Sequence, residues 1–261
     1  MLEIAIFIFS GFFIGTLAGL FGIGGGLIIV PIVTYSLIHF HGYAFESALL
    51  SGIATSLASI IFSGVTATLT HIKNNNVDGE LFKRYVGGVI LGSIIIGIYL
   101  TELKVDFIKY FFIVYTFFAA FQIMAKKKEY ASSTKLAMPF SQSIGFIFAI
   151  ISGLVGIGGG TLFVPHLVKR NVPAKRAVGI AATFGLIIGI TATIVIYLNN
   201  PESSNYQLGL IYLPAILFLT LPSLIFVKLS ATWLLQLPDA TIKKWFAILL
   251  IFIGIFMALT S

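Results

Sequence analysis

The sequence has no cysteine. That excludes disulfides, thiol chemistry and cysteine-ligated metal sites, while saying little about compartment, because a membrane core needs no such staples. Charge is scarce too. Only 10% of the 261 residues are Asp, Glu, Lys or Arg, where a soluble domain carries about a quarter, so an ordinary soluble fold is excluded. What remains is oily, with 58% hydrophobic and 14% aromatic residues. Apolar runs recur at 4–40, 48–70, 85–100, 107–125, 140–168, 177–198, 208–227 and 245–259. A spanning helix needs ~20 apolar residues, so the composition predicts an all-α polytopic membrane protein with the lipid bilayer as its surroundings. The opening segment carries Glu3 in place of a basic stretch and leads to no small-residue cleavage site. It reads as a retained helix, not a signal peptide.

Glycine breaks this pattern twice. GLFGIGGGLIIVP (Gly19 to Pro31) returns 134 residues later as GLVGIGGGTLFVP (Gly153 to Pro165), and Gly11 has its counterpart in Gly145. GIATS (Gly52 to Ser56) is echoed by GIAAT (Gly179 to Thr183) at a different offset. Two copies of one transporter-like repeat are the economical explanation. They divide the chain into a first membrane repeat at 1–125, a basic linker at 126–139 and a second repeat at 140–261.

The net charge of +7 could be taken for a nucleic-acid footprint, but its placement points to membrane topology, and no nucleic-acid partner is expected. Lys and Arg in short loops concentrate on the cytoplasmic side. If all eight runs crossed, Lys126, Lys127, Lys128 and Lys135 would oppose Lys169, Arg170, Lys175 and Arg176. If the two runs holding GIGGG turn at the glycines and leave by the side they entered, the loops 71–84, 126–139, 169–176 and 228–244 all become cytoplasmic. Only Lys104 and Lys109 then remain outside, together with the loop NNPESSNY (Asn199 to Tyr206), which has no basic residue. Each repeat becomes a glycine-broken re-entrant hairpin plus three crossings, an odd number, so the second copy is inverted relative to the first. Length agrees in the second half. Thr161 to Val168 span ~12 Å as a helix, less than half of a ~30 Å core. The first-half arm, Leu27 to about Phe40, is longer and permits an uneven hairpin.

A broken helix in lipid must be buried in protein or line a wet cavity. Helices restarting after Gly24, Gly25 and Gly26, and after Gly158, Gly159 and Gly160, would aim free N–H groups and positive dipole ends into that cavity near the midplane, an arrangement suited to an anion. Pro31 and Pro165 sit inside the returning arms, where each either kinks its helix or frees the carbonyl four residues earlier for substrate, water or a cation. The small residues Gly11, Gly15 and Gly19, and Gly145, Ala149 and Gly153, recur one turn apart and are assigned mainly to close helix packing.

GxGGG in both halves, the hydroxyl-rich GIATSLAS, and HIKNNNVD (His71 to Asp78) together resemble the sulfite exporter TauE/SafE family of bacterial membrane transporters. The resemblance covers almost the whole chain and rests on the pairing and order of the motifs. It implies export or uptake of small sulfur-containing anions, such as sulfite or organosulfonates, across a bacterial-type inner membrane. Three differences between the halves bear on the site, with Leu198 standing where His71 does, Thr183 where Ser56 does, and Leu27 where Thr161 does.

Several side chains are candidates for the site. Thr161 follows the second triplet at a helix start, which makes it the favoured hydroxyl. Ser56, Thr55 and Thr183 can donate to sulfonate oxygens or equally to backbone carbonyls. His166 offers substrate or proton contact, against capping or an interhelical bond. His71, beside Lys73, is either interfacial or proton-coupling. His39 and His41 flank an outer loop and are expected to be solvated. The four histidines lack metal-site spacing, so neither metal nor cofactor is expected. Trp233, Trp245, Tyr197, Tyr206 and Tyr212 read as interfacial anchors. A secondary anion transporter working by alternating access, with proton or ion coupling open, leads the functional readings. A carrier of another small anion such as a carboxylate, or a passive anion channel, stands behind it. A nucleotide-using enzyme is disfavoured, because GxxxxGK(S/T) is lacking and the glycine run follows no strand.

Overall fold

The computed structural model describes residues 1–21, 25–124, 137–204, 206–226 and 239–260. Ten helices are described: α1 (Leu2–Phe21), α2 (Gly26–His41), α3 (Phe45–Lys73), α4 (Gly79–Tyr99), α5 (Val105–Met124), α6 (Met138–Val155), α7 (Gly160–Val168), α8 (Ala174–Asn199), α9 (Leu213–Phe226) and α10 (Asp239–Leu259). Five of them, α3, α4, α5, α6 and α8, are long and apolar enough to cross a membrane. Large side chains such as Phe121, Phe9 and Val114 are exposed on the outer faces. A protein in water avoids apolar surface of that extent, whereas lipid meets it without cost. The molecule is an all-α polytopic membrane protein.

Local chemistry sets the helix ends. The Asp78 carboxylate caps α4, accepting from the N–H groups of Glu80 and Leu81 at 3.0 and 3.2 Å. Pro139 occupies the first turn of α6, where its missing N–H costs nothing. Gly42 ends α2 in a left-handed conformation. The Lys109 ammonium lies 4.9 Å from the Phe45 ring centroid and donates to the Thr260 carbonyl at 2.9 Å, satisfying a carbonyl at the end of α10. The interior of α9 departs from α-geometry as a π-helical stretch, Ile216–Thr220.

The sequence places Asn199 to Tyr206 in an outside loop and starts the next apolar run at Leu208. In the structure this stretch folds into a small antiparallel meander, β1 (Ser203–Ser204), β2 (Gln207–Leu208) and β3 (Ile211–Tyr212). Strands of two residues leave no alternation to detect.

Helices α3 and α8 form the centre. Of the apolar window of α3, 78% is buried, against 39% in each of α4, α5 and α6. The two cross antiparallel, with Gly64 against Leu186 and Gly189 against Leu57 and Ile60. Around them the neighbours exchange between halves. α2 lies on α3 as α7 lies on α8, α4 runs beside α6 and α8 as α9 runs beside α1 and α3, and α5 pairs with α10. The glycines explain two of these approaches. A Cβ at Gly15 would lie 2.8 Å from Ser223 Cα, and one at Gly92 would lie 2.9 Å from the Ala149 methyl.

The ends of the hairpins sort with their neighbours. At one end Glu3 of α1 meets Ser36 and His41 of α2. At another, Gln142 of α6 donates to the Lys83 carbonyl, His166 of α7 meets Tyr85 of α4, Arg176 lies 3.8 Å from Asp78, and Gly179 packs on Asn76. The N-terminal ends of α4, α6 and α8 thus share one end of the molecule. Most of the linker at 126–139, with Lys126, Lys127, Lys128 and Lys135, lies outside the described residues, as do Lys228 and Trp233.

Candidate functional site

The two glycine breaks touch. Gly25 opens α2 with φ of +53°, a conformation glycine adopts at little cost, and its carbonyl accepts from Ile28 and Ile29 at 3.0 and 3.1 Å. Gly26 presses on the second half. A Cβ there would collide with the Gly156 carbonyl oxygen and stand 2.9 Å from Ile157 Cα and 3.0 Å from Ser56 Oγ. Gly24 lies outside the described residues.

The second break begins where α6 stops. Gly156, at φ +67°, donates to the Gly153 carbonyl, and Ile157 donates to the Ser152 carbonyl at 2.8 Å, the paired bonds of a Schellman motif. Gly158 and Gly159 then lie on Gly185, near the middle of α8. A Cβ at Gly185 would sit 3.1 Å from Gly159 N and 3.4 Å from Gly158 Cα. Gly160 starts α7, and Phe163 closes its first turn onto the Gly159 carbonyl at 2.9 Å.

Carbonyls at this break are largely engaged. Those of Ser152 and Gly153 accept from the Schellman N–H groups, and that of Gly156 accepts from Ser56 Oγ at 2.6 Å. The first-turn N–H groups of a helix, by contrast, have no acceptor within it. The local balance of dipoles therefore favours negative charge where α2 and α7 begin.

The predicted hydroxyls behave differently from one another. Ser56 bridges the halves through Gly156, and neighbouring Thr55 accepts from the Tyr212 backbone N–H at 2.8 Å. Thr183 stays within its own helix, donating to Gly179 at 3.0 Å. Thr161 is buried one residue into α7, with its hydroxyl 2.5 Å from the Tyr115 hydroxyl of α5. Ser152 Oγ, at the end of α6, is buried without a hydrogen-bond partner among the described residues.

His166 is placed by Tyr85, whose hydroxyl lies 3.0 Å from its Nε2, and by the edge-on ring of Phe148. His71 lies in the last turn of α3, roughly 22 Å along the helix from Ser56 at 1.5 Å per residue, so it is not brought to the breaks. Its Nδ1 is buried without a partner among the described residues. Pro31 and Pro165 both sit inside helices. The returning arms are uneven, 16 residues in α2 and 9 in α7. At ~1.5 Å per residue the second reaches about 13 Å and cannot cross a ~30 Å core.

The hydrogen-bonding roles of three tyrosines, Tyr115, Tyr85 and Tyr212, escaped the sequence. Tyr115 lies mid-run, where a buried phenol needs a partner, and that alone could have flagged it. Tyr85 and Tyr212 have partners distant in sequence. Tyr212 is also not the expected anchor, being 2% exposed with its hydroxyl on Glu3 and His41, both at 2.8 Å. His41 is exposed, as expected, and in addition joins this network.

Comparison with known proteins agrees with this architecture. The family described as "Sulfite exporter TauE/SafE" matches residues 7–257. A "Probable membrane transporter protein" of Haemophilus influenzae is 36% identical over 251 residues, 94% of each chain. One of Methanocaldococcus jannaschii is 26% identical, covering 99% of this chain and 97% of its own. One of Bacillus subtilis is 26% identical over 232 residues, 80% of this chain and 84% of its own. No solved structure matches significantly. With the family model covering nearly its whole length, over a helical membrane scaffold broken twice at glycine, the chain belongs to the sulfite exporter TauE/SafE family of membrane transporters.

Proposed function

We propose that this membrane transporter is a secondary carrier of small sulfur-containing anions, such as sulfite or an organosulfonate, working by alternating access between two inverted repeats. The observation that carries the proposal is the seating of Gly26 against Gly156 and Ser56, which puts the start of α2 on the second half's break. The exchanged neighbour pairs support the repeats. The antiparallel crossing of α3 and α8 supports inversion, since α2 leads into α3 in the first half and α7 into α8 in the second. The shared position of the starts of α4, α6 and α8 supports a cytoplasmic location for the basic residues that precede them in the sequence, in a bacterial-type inner membrane.

In this conformation the two walls are closed on each other. When they part, Ser56 loses Gly156 as acceptor and can donate to an anion oxygen, alongside the first-turn N–H groups of Gly26 and Leu27 and of Gly160 and Thr161. Thr161 adds a hydroxyl where the first half offers only Leu27, so one wall is polar and the other apolar. This suits an anion with an apolar side or a small oxyanion. Neither His166 nor His71 lies at the breaks, each being in the last turn of its helix.

The test is thermal-shift screening of the purified protein with sulfite, sulfate, thiosulfate, sulfoacetate and taurine, with small carboxylates as comparators. A ligand of the native state raises its stability by mass action. A selective shift with a sulfur anion is expected; a response to carboxylates alone would overturn the substrate class.

A further inference from the structure

A histidine and a tyrosine meet at the end of each hairpin remote from its break. In the first half His41 Nε2 lies 2.8 Å from the Tyr212 hydroxyl. In the second His166 Nε2 lies 3.0 Å from the Tyr85 hydroxyl. A carboxylate joins the first pair. Glu3 Oε1 accepts from Ser36 Oγ at 2.6 Å and from the Tyr212 hydroxyl at 2.8 Å, and both Glu3 oxygens stand 3.2 Å from His41 Nε2. The other titratable groups facing Tyr212 are the phenols Tyr43 and Tyr206. The second pair is faced instead by the positive charges of Lys169 and Arg170.

We propose that Glu3, His41 and Tyr212 form a proton-binding site, in which His41 takes up one proton to make an imidazolium–carboxylate pair with Glu3, and that this proton is the one exchanged during transport. The coupling part rests on the transporter reading above. Imidazole is the side chain whose charge changes near neutral pH, and Glu3 supplies the opposite charge at hydrogen-bonding distance. The balance is one proton taken from water and no other bond made or broken.

The site ties together three separate elements. Glu3 belongs to α1, Ser36 and His41 to α2, and Tyr212 to β3, whose backbone is held by Thr55 of α3. With His41 charged, the pair is neutral overall and holds α1, α2 and the meander together. With the proton lost, Glu3 keeps an uncompensated charge in a half-buried setting, which favours opening to water. At the second hairpin Tyr85 can donate to a neutral His166, a contact that requires no proton uptake, and a second positive charge would face Lys169 and Arg170. Protonation therefore acts on one hairpin only.

The native chain has no cysteine, so Leu2→Cys and Ser204→Cys, both exposed positions, can carry spin labels in nanodiscs. The expected result is a narrow distance distribution at pH 5.5 that broadens and lengthens at pH 8. Glu3→Gln and His41→Gln are expected to give the broad distribution at both pH values, Glu3→Asp to restore the response, and His166→Gln to keep it. Native-like titration in both Glu3→Gln and His41→Gln, or no change in the native pair, would overturn the proposal. In proteoliposomes carrying an internal pH dye, thiosulfate uptake should move protons with the native protein and at least tenfold fewer per thiosulfate with Glu3→Gln. If the native protein does not carry thiosulfate, it is the substrate assignment that suffers, and the spin-label arm, which needs no substrate, still decides the proton site.

Discussion

The two hairpins are built from nearly the same glycine text and are finished differently. The first has a return arm of 16 residues, an apolar Leu27 at its turn, and a carboxylate at its far end. The second returns through 9 residues, carries Thr161 bonded to Tyr115, and has a histidine–tyrosine contact without an acid. The shared text therefore specifies the break. The side chains that differ distribute two further tasks, polar contact at the centre in the second half and charge at the periphery in the first.

The harshest test of the comparison is topological and all-or-none. Single cysteines at Lys83 and Lys175 should react from the same side of the membrane, and one at Lys104 from the other. Labelling of Lys83 and Lys175 from opposite sides would mean that the glycine run of the second half crosses, and the two hairpins would no longer be comparable.

Next in size is Gly26→Leu. Its Cβ would strike a backbone carbonyl, which cannot rotate away, so a loss of roughly 3 kcal/mol or more is expected, together with disappearance of any ligand-induced thermal shift. Gly159→Leu meets Phe163 Cδ2 at 2.9 Å as well as the Ala181 carbonyl at 3.0 Å. Because the ring can partly give, a smaller loss of stability is expected, again without a ligand response. Equal melting temperatures for the two variants would show that the first break is no tighter than the second.

Smaller effects separate the hydroxyls. Ser56→Ala leaves the buried Gly156 carbonyl without its donor, and Thr161→Val leaves Tyr115 without its partner; each should cost about 1 kcal/mol. Tyr115→Phe combined with Thr161→Val should cost less than the sum of the single changes, because both remove the same bond. Thr183→Val should fall within about 0.5 kcal/mol, since that hydroxyl only decorates its own helix. A cost at Thr183 matching that at Ser56 would restore the symmetry that the structure denies them.

The sequence carried the features that depend on local composition. Apolar length marked the helices, GIGGG marked both breaks, and the eight residues from Thr161 to Val168 foretold an arm too short to cross. It missed what depends on distant partners. Tyr115 is 46 residues from Thr161, Tyr85 is 81 from His166, and Tyr212 is 209 from Glu3. No periodicity reports such pairings. His41 is expected to be solvated because it flanks an outer loop, and it is exposed, but its hydrogen-bond partners come from α1 and β3.

The seating of Gly26 against Gly156 has a consequence for how the protein is made. During synthesis α1, α2 and α3 emerge well before α6, so the first break must wait in the membrane with no partner for Gly26 or Ser56. Closing so long a loop is slow compared with forming a helix. The first hairpin therefore matures only after the second has been inserted, and a chain cut in the linker should yield two halves that are each exposed to quality control until they find one another.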